Sequence, residues 1–188
     1  MKRKSKEATD SDIAIVLVAM MLAGLDGVVL PEEYVAFEDI FRLCGCSPRK
    51  VNEVEERGLE LAGYMVLQSQ RLPDDELICT FVDRVERLLP GGFQKLHGED
   101  LRKAFIMWMI MIMSDGRYLA VERRGIQALK EAFNKISCQI SDAFLVKCEN
   151  FAAKLLSAQK LYERHPTTVN KNKCASIVRR IKAFLEVQ

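Results

Sequence analysis

Residues 22–33 read LAGLDGVVLPEE, and residues 111–122 read MIMSDGRYLAVE. In both, an apolar run enters Asp-Gly, a Leu follows, and a Glu stands seven positions after the Asp. Asp26, Gly27, Leu30 and Glu33 therefore pair with Asp115, Gly116, Leu119 and Glu122. A shared spacing of this kind marks a repeated structural unit, and repeats decide a fold before local propensity does. A second match lies further along. FVDRVERLL, residues 81–89, aligns with IVRRIKAFL, residues 177–185; every apolar position of the first falls on an apolar position of the second, and Arg84 falls on Arg180. The two matches place tandem repeats over about 11–89 and 99–187, after a basic, flexible tail over 1–8.

Working outward, the runs that enter the two Asp-Gly turns are apolar on nearly every face. Residues 13–25 and 105–113 hold Ile, Val, Leu, Met, Ala, Phe and Trp with no polar stripe. A helix without a polar face belongs at the centre of a fold. The expected architecture is an all-α, compact bundle of about eight helices. It forms a single domain over 1–188, with the first and fifth helices packed together about an internal pseudo-twofold.

Local signals set the other boundaries. Thr9, Asp10 and Ser11 are N-cap candidates for the first helix, and Gly27 suits the left-handed position that ends it. Pro31 fits the first position of a second helix, with Glu32 and Glu33 complementing its macrodipole, and Val35, Phe37, Ile40, Phe41 and Leu43 inside it. Ser47-Pro48 opens a third helix to about Ser69. Asp74 and Asp75 are read as caps of a fourth, which Pro90-Gly91-Gly92 breaks. The fifth helix starts near Glu99, the sixth near Val121, and the seventh at Ser141-Asp142. His165-Pro166 stops the seventh, and a polar loop over Thr167 to Lys173 leads to the eighth.

Composition narrows the function classes. The chain has 188 residues, 49% hydrophobic and 29% charged, with a net charge of +2. That balance allows a sizeable core and gives no global field of the sort that drives binding to nucleic acid or acidic membranes. Lys2, Arg3, Lys4 and Lys6 with Lys171, Lys173, Arg179, Arg180 and Lys182 make basic segments, but no aromatic is interleaved for stacking on bases, so a solvated face is expected and no nucleic-acid partner. Met1-Lys-Arg-Lys-Ser-Lys before an apolar run imitates a signal peptide; Glu7, Asp10 and Asp12 interrupt it, and cleavage would destroy the first repeat. The run is also shorter than the ~20 residues that span a bilayer. A cytoplasmic protein without membrane insertion is expected. Cys44, Cys46, Cys79, Cys138, Cys148 and Cys174 read as reduced, buried small hydrophobes, and Cys44-Gly-Cys46 lacks the spacing of a redox motif.

No enzyme is expected. His97 and His165 have no partner at a nucleophile spacing and read as exposed loop residues; there is no phosphate-cradling Gly loop and no zinc-protease motif. Trp108 and its neighbouring methionines read as core. For Asp26, Glu33, Asp115 and Glu122 two readings stand. The preferred one is architectural: Gly27 and Gly116 supply positive φ, the Asp side chains bond to nearby N–H groups, and the Glu side chains sit at helix N-termini. The sharper one is a divalent-cation site for Ca, Mg or Mn. Each turn alone has two carboxylates, too few for calcium's ~6–8 oxygens, so the second copy, backbone carbonyls or water would have to contribute.

An apolar helix ending in Ala-x-x-Asp-Gly, then Leu-Pro-Glu-Glu opening another helix, resembles the TerB-like family of tellurite-resistance proteins, found also in the N-terminal region of DjlA-type co-chaperones. Ala23, Asp26, Gly27, Leu30, Pro31, Glu32 and Glu33 carry the resemblance, with a second copy at Ser114, Asp115, Gly116, Leu119 and Glu122. It implies a compact, all-helical, cytoplasmic protein linked to tellurite or other stress responses, and the function expected of this chain is that of a non-catalytic module for protein interaction or stress sensing. Its acidic residues are candidates for metal binding, and its partner is an unspecified protein, a second copy among the candidates. Family members often carry a small hydroxyl residue before Pro-Glu-Glu. Leu30 and Ala120 stand there in this chain, so neither copy completes a Ser/Thr capping box.

Overall fold

A computed structural model describes residues 8–43, 51–136 and 139–186. The basic tail with Lys2, Arg3, Lys4 and Lys6, the Cys44 to Pro48 segment and Cys138 lie outside the described residues, as do the side chains of Phe41 and Leu43. The protein is all-α. Eight helices follow in order: α1 Asp10–Ala23, α2 Pro31–Leu43, α3 Val51–Ser69, α4 Asp74–Leu88, α5 Gly98–Ile112, α6 Ala120–Lys135, α7 Asp142–Arg164 and α8 Thr168–Glu186. No strand occurs among the described residues.

The two helices without a polar face are the centre of the bundle. Every residue from Ala14 to Ala23 in α1 and from Ala104 to Ile112 in α5 is buried. At ~1.5–3 kcal/mol for each large side chain removed from water, these two rods supply much of the drive to fold. They pack along each other. Trp108 Nε1 donates to the Ile15 carbonyl at 3.0 Å, and Lys103 of α5 pairs with the buried Asp12 of α1. Phe105 sits in a ring cluster with Trp108, Phe133 and Phe144, centroids 5.1 to 6.0 Å apart.

Around the rods, α3 covers α1 and α7 covers α5. The helix after each acidic turn crosses to the other half: α2 packs on α5, and α6 packs on α1 and on the short 3-10 turn, Gly24–Asp26, that ends it. Small residues permit this crossing. The offset that pairs Asp26 with Asp115 pairs Ala36 with Gly125, and a Cβ on Gly125 would lie 2.7 Å from Leu25 Cδ1 and 3.3 Å from Leu22 Cδ2. The outer helices depart from this exchange. α4 packs on α6, whereas α8 packs on α7 and α5, where Arg102 donates to the Leu185 carbonyl at 2.8 and 3.2 Å.

Of the three cap candidates for α1, Thr9 is the one used, in a reciprocal box with Asp12. Other boundaries differ from expectation. Asp74 and Asp75 are not caps; Pro73 holds the cap position and both acids lie inside the first turn, where they face the helix dipole. The polar segment Thr168 to Lys173 is helical and not a loop, because Thr167 caps it, its hydroxyl accepting from Asn170 N–H at 3.2 Å. Cys148 is buried, its thiol pushed up to about 12 by burial, but Cys79 is exposed and Cys174 half-buried. The α4 ladder turns Cys79 to solvent while Ile78 and Phe81 enter the core. His97 and His165 are exposed.

Candidate functional site

The two acidic turns are built alike, bond for bond. Gly27 has φ 93° and Gly116 φ 87°, the left-handed region that favours glycine. Asp26 Oδ1 accepts from Val28 N–H at 3.0 Å, and Asp115 Oδ1 accepts from Arg117 N–H at 2.7 Å. Glu33 Oε2 accepts from Leu30 N–H at 2.7 Å, and Glu122 Oε2 accepts from Leu119 N–H at 2.7 Å. The second cap is Leu119 and not Ala120, which is the first residue of α6. Each Leu donates its N–H to the Glu three residues on but has no side-chain oxygen to return the bond. Half of a capping box thus forms in each copy.

Because α1 and α5 lie side by side and α2 and α6 cross between halves, the two turns come together. Burial holds Asp26 above its ordinary range, with the Asp115 charge adding to it and the Val28 N–H opposing. Burial pushes Glu33 up to about 7, and the charges of Asp26, Asp115 and Glu32 add to the rise. Glu122 is pushed up to about 8 by burial, then by Asp26, Glu33 and Asp115. Both Glu side chains are closed off from water, each residue 3% exposed. All four predicted residues are therefore within electrostatic reach of one another.

Two cations that the sequence reading passed over stand at the rim. Arg117 Nε is 3.8 Å from Asp115 Oδ2, with most of its side chain in solvent. Lys160, arriving from α7, places Nζ 3.5 Å from where a Cβ on Gly116 would be. No local signal marks Lys160, since its approach depends on how α7 docks.

The donor set has the chemistry of a hard-cation site, all carboxylate oxygens. Its geometry does not have the convergence of one. Among the described residues no three His, Cys, Asp or Glu side chains stand close enough together to hold a metal ion. The arrangement buries acidic groups against like charge and against two helix N-termini, which ties their proton affinity to the closeness of the two halves.

Beside the joint runs an apolar groove of about 310 Å³ between α2, α5 and α7, floored by Ala36, Ile110 and Leu156 and bordered by Glu32 and Ser114. Val35 on its wall is 56% exposed, and Val28 and Leu119, in the turns themselves, also face solvent.

Comparison with known protein families, with curated proteins and with solved structures finds no match. Among the described residues, no helix is long and apolar enough to cross a membrane.

Proposed function

We propose that the chain is a non-catalytic helical module for protein interaction or stress sensing, in the manner of the TerB-like family that its turns resemble, acting in the cytoplasm. The responsive element is the acidic joint between its halves. The observation that carries this reading is the meeting of Asp26, Glu33, Asp115 and Glu122 at the seam where each half packs on the other. A change in protonation there alters repulsion between the halves without any substrate chemistry. The solvent-facing Val28, Val35 and Leu119 beside the joint give a partner protein, or a second copy, an apolar place to rest.

The test is a set of thermal melts from pH 5 to pH 9 on the whole chain and on Glu33→Gln with Glu122→Gln. The reading expects the native chain to lose stability as pH rises and the double variant to be flat. A native chain with the same melting temperature throughout would overturn it.

The rival reading is a divalent-cation-binding stress protein, favoured by the all-oxygen character of the four facing side chains. Melts at neutral pH with millimolar Ca²⁺, Mg²⁺ or Mn²⁺ separate the two. A rise in melting temperature that disappears in Asp26→Asn with Asp115→Asn would replace the first reading by the second.

A further inference from the structure

The long α7–α8 hairpin carries a second feature that the acidic joint does not use. Between the two helices runs a groove of about 460 Å³, within the size range of small-molecule sites. Lys154 from α7 and Lys173 and Arg180 from α8 converge on it, with the hydroxyls of Ser157 and Ser176 and the amide of Asn150 between them. No acidic residue lines it. Among the described residues none of the three cations is in a salt bridge. Asn150 donates Nδ2 to the Val146 carbonyl at 2.9 Å, so its amide is held in place. The floor is apolar, made by Ile177 and alanine methyls.

The related groove in the first half differs in its lining. Arg84, the residue that the sequence match pairs with Arg180, lies between α3 and α4 with Arg57 and Arg87. There Glu60 lines the same wall, and the Arg84 guanidinium sits over the Tyr64 ring, 5.1 Å from its centroid. One acid there faces three arginines, one of which rests on an aromatic ring, and the groove is smaller, about 220 Å³. In the second half the cations remain without the acid. α8 adds to the imbalance, carrying Lys171, Lys173, Arg179, Arg180 and Lys182 against Glu186 alone.

We infer that the α7–α8 groove is a binding site for a small phosphate-bearing molecule, the phosphate held by Lys154, Lys173 and Arg180 and an apolar remainder lying on Ile177. Three positive groups around one concavity repel each other until an anion arrives. Arg offers two parallel N–H donors to a pair of phosphate oxygens, the lysines add mobile point charges, and the serine hydroxyls complete the ring of donors. The even charge balance of the whole chain does not oppose this, because attraction to a bound phosphate is set by charges within a Debye length, ~8 Å at physiological salt.

Calorimetry on the full chain with phenyl phosphate, inorganic phosphate and benzyl alcohol tests it. Phenyl phosphate is expected to bind more tightly than inorganic phosphate, and benzyl alcohol not at all. Arg180→Gln with Lys173→Gln should weaken phenyl phosphate by at least about tenfold, while Lys171→Gln with Lys182→Gln, the same charge change away from the groove, should stay within about twofold. All four positions are exposed, so unchanged melting temperatures will show that both variants fold. Equal weakening by both pairs would overturn the site, as diffuse attraction. So would silence toward phenyl phosphate combined with salt-sensitive binding to duplex DNA or to vesicles of anionic lipid, or no binding by any probe.

Discussion

The indole N–H of Trp108 donates to the carbonyl of Ile15 at 3.0 Å, across the seam between α5 and α1. Ile15 lies in the body of α1, so its carbonyl serves the helix ladder as well and is not orphaned when the indole is removed. Trp108→Phe is therefore expected to cost a hydrogen bond of about 1 kcal/mol plus the loss of packed ring volume, about 2 kcal/mol in all. Urea melts followed by far-ultraviolet circular dichroism measure it, since the substitution removes the chain's sole Trp. A cost below a few tenths of a kcal/mol would mean that the seam is looser than it stands here.

The two turn glycines should respond unequally. Alanine at either position is strained by the positive φ, at about 1 kcal/mol or more. At Gly27 the new methyl also meets Ser69 Oγ at 3.0 Å, and that hydroxyl is fixed by its bond to the Val66 carbonyl at 2.8 Å. At Gly116 the nearest atom is the mobile Lys160 Nζ at 3.5 Å. Both Gly27→Ala and Gly116→Ala should lower the melting temperature, Gly27→Ala by more.

The pH dependence has a definite sign. Glu33 and Glu122 have folded pKa values of about 7 and about 8, above the ordinary carboxylate range, so the folded chain holds protons that the unfolded chain releases. Stability from this source is fully present below the unfolded pKa and is lost as pH rises through 7 and 8. In Glu33→Gln with Glu122→Gln the amide oxygens still accept from Leu30 and Leu119 N–H. The double variant should match the native chain near pH 5 and exceed it near pH 9.

Gly125 governs how closely α6 approaches the end of α1. Gly125→Ala pushes a methyl into Leu25 and Leu22, both fully buried, and should cost about 1–3 kcal/mol despite the better helix propensity of alanine. If denaturant melts instead show a gain, α6 has room to withdraw from α1.

Sequence made the central rods legible because fully apolar helices have one place to go. It made the turns legible because Asp-Gly followed by a helix-opening Glu has few backbone solutions. Asp26, Glu33, Asp115 and Glu122 could be named for the same reason, and the repeat allowed for their meeting. What stayed hidden depends on docking between segments far apart in the chain. Arg124 of α6 pairs with Asp74 and Asp75, fastening α6 to the start of α4, and nothing local to either helix announces that contact. Lys160 reaches the second turn only because α7 lies over α5. The basic residues of α8 read as a solvated face until Lys154 is seen opposite them.

The crossing of α2 onto α5 and of α6 onto α1 has a consequence for synthesis. Neither rod is roofed by its own half alone, so a leading half emerging from the ribosome would carry bare hydrocarbon until the trailing half followed. Such a nascent chain needs shelter in the interval, and truncations ending before α5 should be clients of holding chaperones or material for degradation. Assembly would then be a single closing event late in translation, with no stable stopping point at the midpoint of the chain.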